Sequence, residues 1–264
     1  MMHAAWNAAL KAGKDRLLDA ALLFGVAGLI GLVIAFTRPV MNSEAWLWIA
    51  ATTVLHVPYV YLLVRAYEMG ELSHVYTIAR GLPPILIAML AAVTLNEVPS
   101  LMGAIGIATI SFGILIVGLS PGAHLEGTLV AAGVAVTIAF YSVFDGIGVR
   151  VSGDVIAYNS SAFVSIAIVV SLMALLLRRE HNLFAYVREH WRRGVIGGTL
   201  SYIAYGLVLW AMTFAPIAAV SAFRETSVVF AALYGTLFFG EAAGSRRIAG
   251  ALIVALGAIM LKLA

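Results

Sequence analysis

The chain has no cysteine among its 264 residues, which excludes a disulfide framework, an iron-sulfur cluster and a thiol nucleophile. It is also poor in charge, with Asp, Glu, Lys and Arg at 11% of residues, against roughly 25% in an ordinary soluble domain. The 16 basic and 13 acidic residues leave a formal charge of +3, too small an excess to imply a nucleic-acid partner. No G-x-x-x-x-G-K-[ST] phosphate loop occurs, so the chain is not by itself an ATP-driven pump. There is no H-E-x-x-H and no cluster with zinc-ligand spacing, and no metal or other cofactor is expected. Gly118 to Gly122 matches G-x-S-x-G, but it joins two apolar runs and Pro121 would interrupt the helix that a nucleophile elbow needs, so no catalytic residue is assigned.

What the sequence has in abundance is apolar surface, at 62% of residues. About 20 largely apolar residues are needed for a helix to cross roughly 30 Å of hydrocarbon. Nine runs of that size lie near 18 to 37, 44 to 66, 72 to 95, 99 to 119, 127 to 149, 155 to 177, 195 to 214, 217 to 239 and 246 to 263. Turn or charge signals separate them, among them Arg38-Pro39, Asn96-Glu97-Val98-Pro99 and Gly153-Asp154. Ahead of them, Met1 to Ala12 is apolar but, at ~1.5 Å per residue, only about 18 Å long. We read it as a first helix whose beginning is missing, in preference to a real half-helix, and not as a signal peptide, since no basic region precedes it. Gly25, Gly28 and Gly31, and Gly103, Gly106 and Gly113, are spaced to let helix backbones approach closely in lipid.

The basic residues are distributed unevenly over the connections. With ten helices, the loops after the odd-numbered ones carry eleven Lys and Arg, five of them between Arg178 and Arg193, and the opposite side carries Arg38, Arg150 and Lys262. The positive-inside rule makes the eleven-charge side cytoplasmic and places both termini outside the inner membrane. Within 178 to 193, Leu183, Val187 and Trp191 recur every four residues opposite a basic set, which suits either a helix lying on an anionic leaflet or a solvated basic loop.

The two halves also resemble each other. Arg80 precedes Glu97 by 17 residues and Arg224 precedes Glu241 by 17, each Arg lying inside an apolar run and each Glu just after it. Five helices per half is an odd number, so the second half starts on the opposite face and the repeats are inverted. The expected fold is therefore all-α and integral to the membrane: a ten-helix bundle of two inverted five-helix repeats, 1–119 and 127–264.

An Arg at the centre of a membrane helix costs roughly 2.5 to 3.5 kcal/mol on insertion scales, so Arg80 and Arg224 are expected to face the interior, as substrate ligands or as buried ion pairs. Pro83 and Pro84 remove the hydrogen bonds to the carbonyls of Ala79 and Arg80, which predicts a kink or break beside that charge, and Pro58 does the same to Val54 near His56. Glu225 follows Arg224 about 100° around the helix, so the two need not pair. Asp145, Glu225, His56 and His74 are candidate proton carriers or hydrogen-bonded structural groups. Tyr59, Tyr76, Tyr202, Tyr205 and Trp210 are candidates for an aromatic cavity or for interface belts.

Taken together, the start His3-Ala4-Ala5-Trp6-Asn7-Ala8-Ala9-Leu10-Lys11, the stretch Leu72 to Pro84 and the Asn96-Glu97 and Gly240-Glu241 helix ends resemble EamA-type proteins of the drug/metabolite transporter superfamily. The resemblance spans essentially the whole chain and implies a central cavity with alternating access and export of small metabolites or amino-acid-like solutes. It leaves the substrate open.

The leading expectation is a secondary transporter of a small polar metabolite, anionic or zwitterionic. Arg80 and Arg224 would bind its carboxylate or phosphate, since guanidinium matches those oxyanions bidentately, with Tyr76, Trp6, Asn7 and Tyr205 around them. Glu225, Asp145 or His56 would carry a coupling proton. The expected partners are that small molecule and the lipid bilayer, with the protein a monomer or homodimer. The rivals are an exporter of lipophilic cations bound by Glu225 and Asp145, a membrane enzyme acting on a lipid phosphate, and an accessory subunit.

Overall fold

The computed structural model describes residues 15–69, 72–118, 125–180, 183–227 and 245–264. Every regular element among them is a helix: α1 Arg16–Ala35, α2 Ser43–Met69, α3 Leu72–Gly81, α4 Pro83–Leu95, α5 Leu101–Gly118, α6 Leu125–Ser152, α7 Val155–Leu177, α8 Leu183–Met212, α9 Ile217–Glu225 and α10 Ser245–Lys262. Counting His74–Leu95 as one span, six of the described segments are long and apolar enough to cross a membrane. Large apolar side chains such as Val33, Val93 and Leu101 are exposed, as lipid-facing residues are.

The described residues form two compact units. One comprises Tyr61–Val143 and Ala215–Ala264, the other the described residues up to Val60 with Phe144–Phe214. Each draws on both halves of the sequence, and α2 and α6 each run from one unit into the other.

In the unit containing α1, α7 and α8, two helices begin on aspartates. Asp15 adopts an extended conformation and accepts hydrogen bonds from the Leu17 and Leu18 N–H groups at 3.0 and 3.2 Å. Asp154 does the same for α7 through the Ala157 N–H at 2.8 Å. An acidic cap satisfies orphan donors and complements the positive end of the helix dipole. α1 and α7 pack antiparallel. Gly28 lies against Phe163 and Ala167 while Gly31 lies against Ser160, and a Cβ at Gly31 would come 2.6 Å from the Ser160 carbonyl oxygen. Arg178, just past α7, pairs with Asp15, and Arg38, just past α1, pairs with Asp154. α8 packs on α1 through Gly194, Gly197 and Gly198 against Leu22, Leu23 and Val26. The helix starts at Leu183, earlier than the apolar run near 195 suggests, so the basic amphipathic segment is the first turns of a 30-residue helix and not a separate surface helix.

In the other unit, α5 and α10 also pack antiparallel through glycine. A Cβ on Gly257 would lie 2.8 Å from the Ile110 nitrogen and 2.9 Å from the Gly106 carbonyl oxygen, and one on Gly250 would lie 2.7 Å from that of Gly113. α4 ends on Asn96 in the left-handed conformation (φ 54°, ψ 24°). The next residue, Glu97, accepts from the Ile217 N–H at 2.9 Å, so a carboxylate from the α4–α5 connection caps α9, whose own N-cap, Pro216, offers no side-chain acceptor.

Candidate functional site

Around Leu82 the helical run expected over 72 to 95 divides in two, because neither Pro83 nor Pro84 has an N–H to give and such a pair fits best in a first turn. α3 therefore ends at Gly81 with Arg80 in its last turn, where a cation meets the negative end of the helix dipole. α9 is similarly short, and Arg224 and Glu225 are its last two residues.

These two helix ends meet. Arg80 donates through Nη1 to both Glu225 oxygens, at 3.3 and 3.5 Å, and Arg224 donates through Nε to Glu225 Oε1 at 2.9 Å. The three side chains are nearly sealed from solvent, at 8%, 5% and 1% exposure for Arg80, Arg224 and Glu225. Arg224 and Glu225 thus do pair, despite their angular separation on the helix. The Arg80 guanidinium carbon also lies 5.5 Å from the Tyr76 ring centroid, one turn earlier on α3. Two guanidinium groups on one carboxylate give the cluster a formal charge of +1. Taking each ion out of water costs several kcal/mol, offset only by close pairing and hydrogen bonds.

Polar groups close to this cluster have unused capacity. Ser221 is one turn before Glu225 on α9. Ser111 lies on α5, where its carbonyl oxygen would be 3.3 Å from a Cβ at Gly81, the neighbour of Arg80. Both residues are fully buried, and neither hydroxyl oxygen has a hydrogen-bond partner among the described residues. Sequence reasoning missed both because a serine in an apolar run is unremarkable until its neighbours are known. His74, farther back on α3, shares a hydrogen bond with Thr128 at 3.0 Å.

The second cluster of buried polar groups lies in the unit of α7 and α8. Asp145 on α6 is fully buried and accepts from the Tyr158 hydroxyl on α7 at 2.9 Å and from the Tyr205 hydroxyl on α8. Tyr158 was not anticipated, and Tyr205, expected among the substrate ligands, is a partner of Asp145. Beside them the Asn159 amide donates to the Tyr202 carbonyl at 3.2 Å, and the Ser160 and Tyr202 hydroxyls share a bond of 2.6 Å. His56 donates through Nδ1 to the Thr52 carbonyl at 2.8 Å and packs edge-on to Phe24 and Tyr59.

Pro58, expected to kink or break its helix, lies within α2, which stays helical from Ser43 to Met69. A lone interior proline removes one hydrogen bond, whereas the pair at 83 and 84 removes two in succession. Trp210 is exposed and packs edge-on to Phe214, so it does not belong to either cluster. Trp6 and Asn7 lie outside the described residues, as does Glu241.

Membrane-length helices with charge clusters buried inside them define a multi-pass membrane protein. Residues 125–263 match the model of the EamA-like transporter family, more than half of the chain, and the chain belongs to that family, within the drug/metabolite transporter superfamily. It is thus a membrane transporter. No curated protein matches the sequence. A solved structure described only as the crystal structure of a protein is similar over 98% of this chain and 90% of its own, with a TM-score of 0.77 at 19% identity, a likeness of fold.

Proposed function

We propose that this transporter carries a small polar metabolite bearing a carboxylate or phosphate, and exports it by alternating access. The observation that carries the reading is the buried triad: two arginines at the ends of two short helices converge on a single acidic residue. Guanidinium is suited to oxyanions, and helix interruptions at membrane depth are where inverted-repeat transporters hold their substrates. The fully buried Ser111 and Ser221 hydroxyls supply neutral donors close to the same helix ends. Glu225, Asp145 and His56 are the proposed proton carriers, and Tyr76 the aromatic neighbour of the substrate.

The proposed architecture is ten helices in two inverted repeats, 1–119 and 127–264. Two observations support it. Arg80 and Arg224, Glu97 and Glu241, Gly106 and Gly250, and Gly113 and Gly257 are all 144 residues apart. In addition, α5 and α10, which that spacing makes equivalent, pack antiparallel, with Gly106 facing Gly257 and Gly113 facing Gly250. A two-fold axis in the membrane plane maps the first of those contacts onto the second.

Export of a lipophilic cation is the weaker reading, because Glu225 already has two cationic partners, and membership of a transporter family stands against the lipid-phosphate enzyme. The test is substrate-induced stabilisation of the purified protein across a metabolite panel, followed by transport in liposomes. Arg80→Ala and Arg224→Ala are expected to fold and to lose at least tenfold in transport. Wild-type rates in both would remove the arginines from the site.

A further inference from the structure

We propose that Glu225 occupies the place of the substrate's oxyanion, so that a proton taken up by Glu225 and an anion bound by Arg80 and Arg224 enter the site together, one for one. This rests on the oxyanion reading of the arginines and adds how the site is vacated and filled.

The geometry sets the terms. Both guanidinium groups hold the Glu225 carboxylate, and Oε1 receives a donor from each arginine. An incoming carboxylate would share these two guanidinium groups with Glu225, and adding a second anion beside an ionised Glu225 would place two like charges in a buried site. Protonating Glu225 removes that conflict, since its charge is what the arginines hold. Glu225 closes α9, and both arginines sit in last turns, where the helix dipole favours a cation. The arginines stay charged throughout and cannot give up a proton.

Few charged or titratable groups face Glu225 among the described residues. From α3 it is faced by Arg80 and, more distantly, Tyr76, and on α9 by Arg224. The sequences of α4 and α5, which pack against α9, contain no titratable side chain. α10 carries such groups only at its ends, Arg246, Arg247 and Lys262.

The exchange balances. Before it, two guanidinium charges and one carboxylate sum to +1. After it, two guanidinium charges, a neutral Glu225 and a bound monoanion again sum to +1. Proton and anion therefore travel in the same direction, a monocarboxylate crosses without net charge, and export runs on the metabolite's own outward gradient.

Formate and nitrate are suitable probes, because both are monoanions and neither changes its own charge in the neutral range. Calorimetry of the purified full chain, in buffers of different ionisation heat, counts the protons taken up on binding. Wild type is expected to take up one proton per anion and to bind about tenfold more tightly per pH unit of acidification wherever Glu225 is ionised when empty. Glu225→Gln is expected to bind more tightly at neutral pH with no proton uptake. Binding by wild type without proton uptake overturns the exchange while sparing the oxyanion site, and this measurement needs no variant. A folded Glu225→Gln that binds neither anion while wild type does also overturns it. If neither protein binds either anion, the oxyanion reading itself fails.

Discussion

Arg178, the residue that closes α7, donates through Nε to the Asp15 carboxylate at 2.6 Å, and Asp15 is the residue that opens α1. The other end of the same antiparallel pair repeats the arrangement with Arg38 and Asp154. Each aspartate thus does two jobs, capping its own helix and holding the end of its neighbour.

The two jobs separate by substitution. Asp15→Ala and Asp154→Ala each lose a cap worth about 1 kcal/mol together with a half-exposed ion pair worth less than about 1 kcal/mol. Asp15→Asn and Asp154→Asn keep an acceptor for the cap and lose only the charge. In thermal unfolding of the purified protein the Ala variants are expected to fall clearly below the Asn variants, and the Asn loss to shrink at high salt. Equal losses would show that capping contributes nothing.

Acid separates Asp154 from its Asn variant. Partial burial pushes its carboxyl up, but the Arg38 hydrogen bond and the Ala157 N–H outweigh this and hold it below the usual carboxylate range. A depressed folded-state value stabilises above the unfolded value of about 3.9 and is lost as pH falls through the folded one. The stability gap between wild type and Asp154→Asn is therefore expected to be constant near neutrality and to close only below about pH 4. A gap that closes already near neutrality would show that the ion pair does not hold this group.

Glycine makes a paired prediction. A Cβ at Gly257 meets backbone atoms of α5 at 2.8 and 2.9 Å, which cannot turn aside, whereas one at Gly25 in α1 meets nothing within 4 Å. Gly257→Ala is expected to separate α5 from α10 and lower the melting temperature. Gly25→Ala is expected to be neutral or stabilising by up to about 1 kcal/mol, the helix preference of Ala over Gly. Melting curves of the two variants in one detergent decide it, and an undamaged Gly257→Ala would mean the two helices are not in contact through this stripe.

Much of this was legible in the sequence, for physical reasons. Membrane-length apolar runs reveal themselves by composition, so the described helices fall close to the expected spans, and Arg80 beside Pro83 and Pro84 stands out because both features are costly in lipid. What stayed hidden is long-range pairing. Nothing local in Glu225 shows that Arg80 lies across from it, 145 residues away, and nothing in Asp145 points to Tyr158 and Tyr205 on other helices. The early start of α8 was hidden for the opposite reason: a basic amphipathic stretch does not look like part of a membrane span, yet it continues one. The N-cap role of Asp154 has a visible signal, an acid directly ahead of an apolar run, which also marks a break between spans.

α8 is 30 residues, about 45 Å, and thus longer than the roughly 30 Å of hydrocarbon it crosses. Its first turns carry Arg188 and Arg192 beside Phe184 and Trp191, which are 80% and 52% exposed. No proline interrupts it between those turns and Tyr205, the partner of Asp145, about 26 Å further along at 1.5 Å per residue. The helix is therefore a stiff pointer, and a spectroscopic label at Arg188, attached in the aqueous phase, reads out whatever tilt or rotation follows when the Asp145 hydrogen bonds are made or broken inside the membrane.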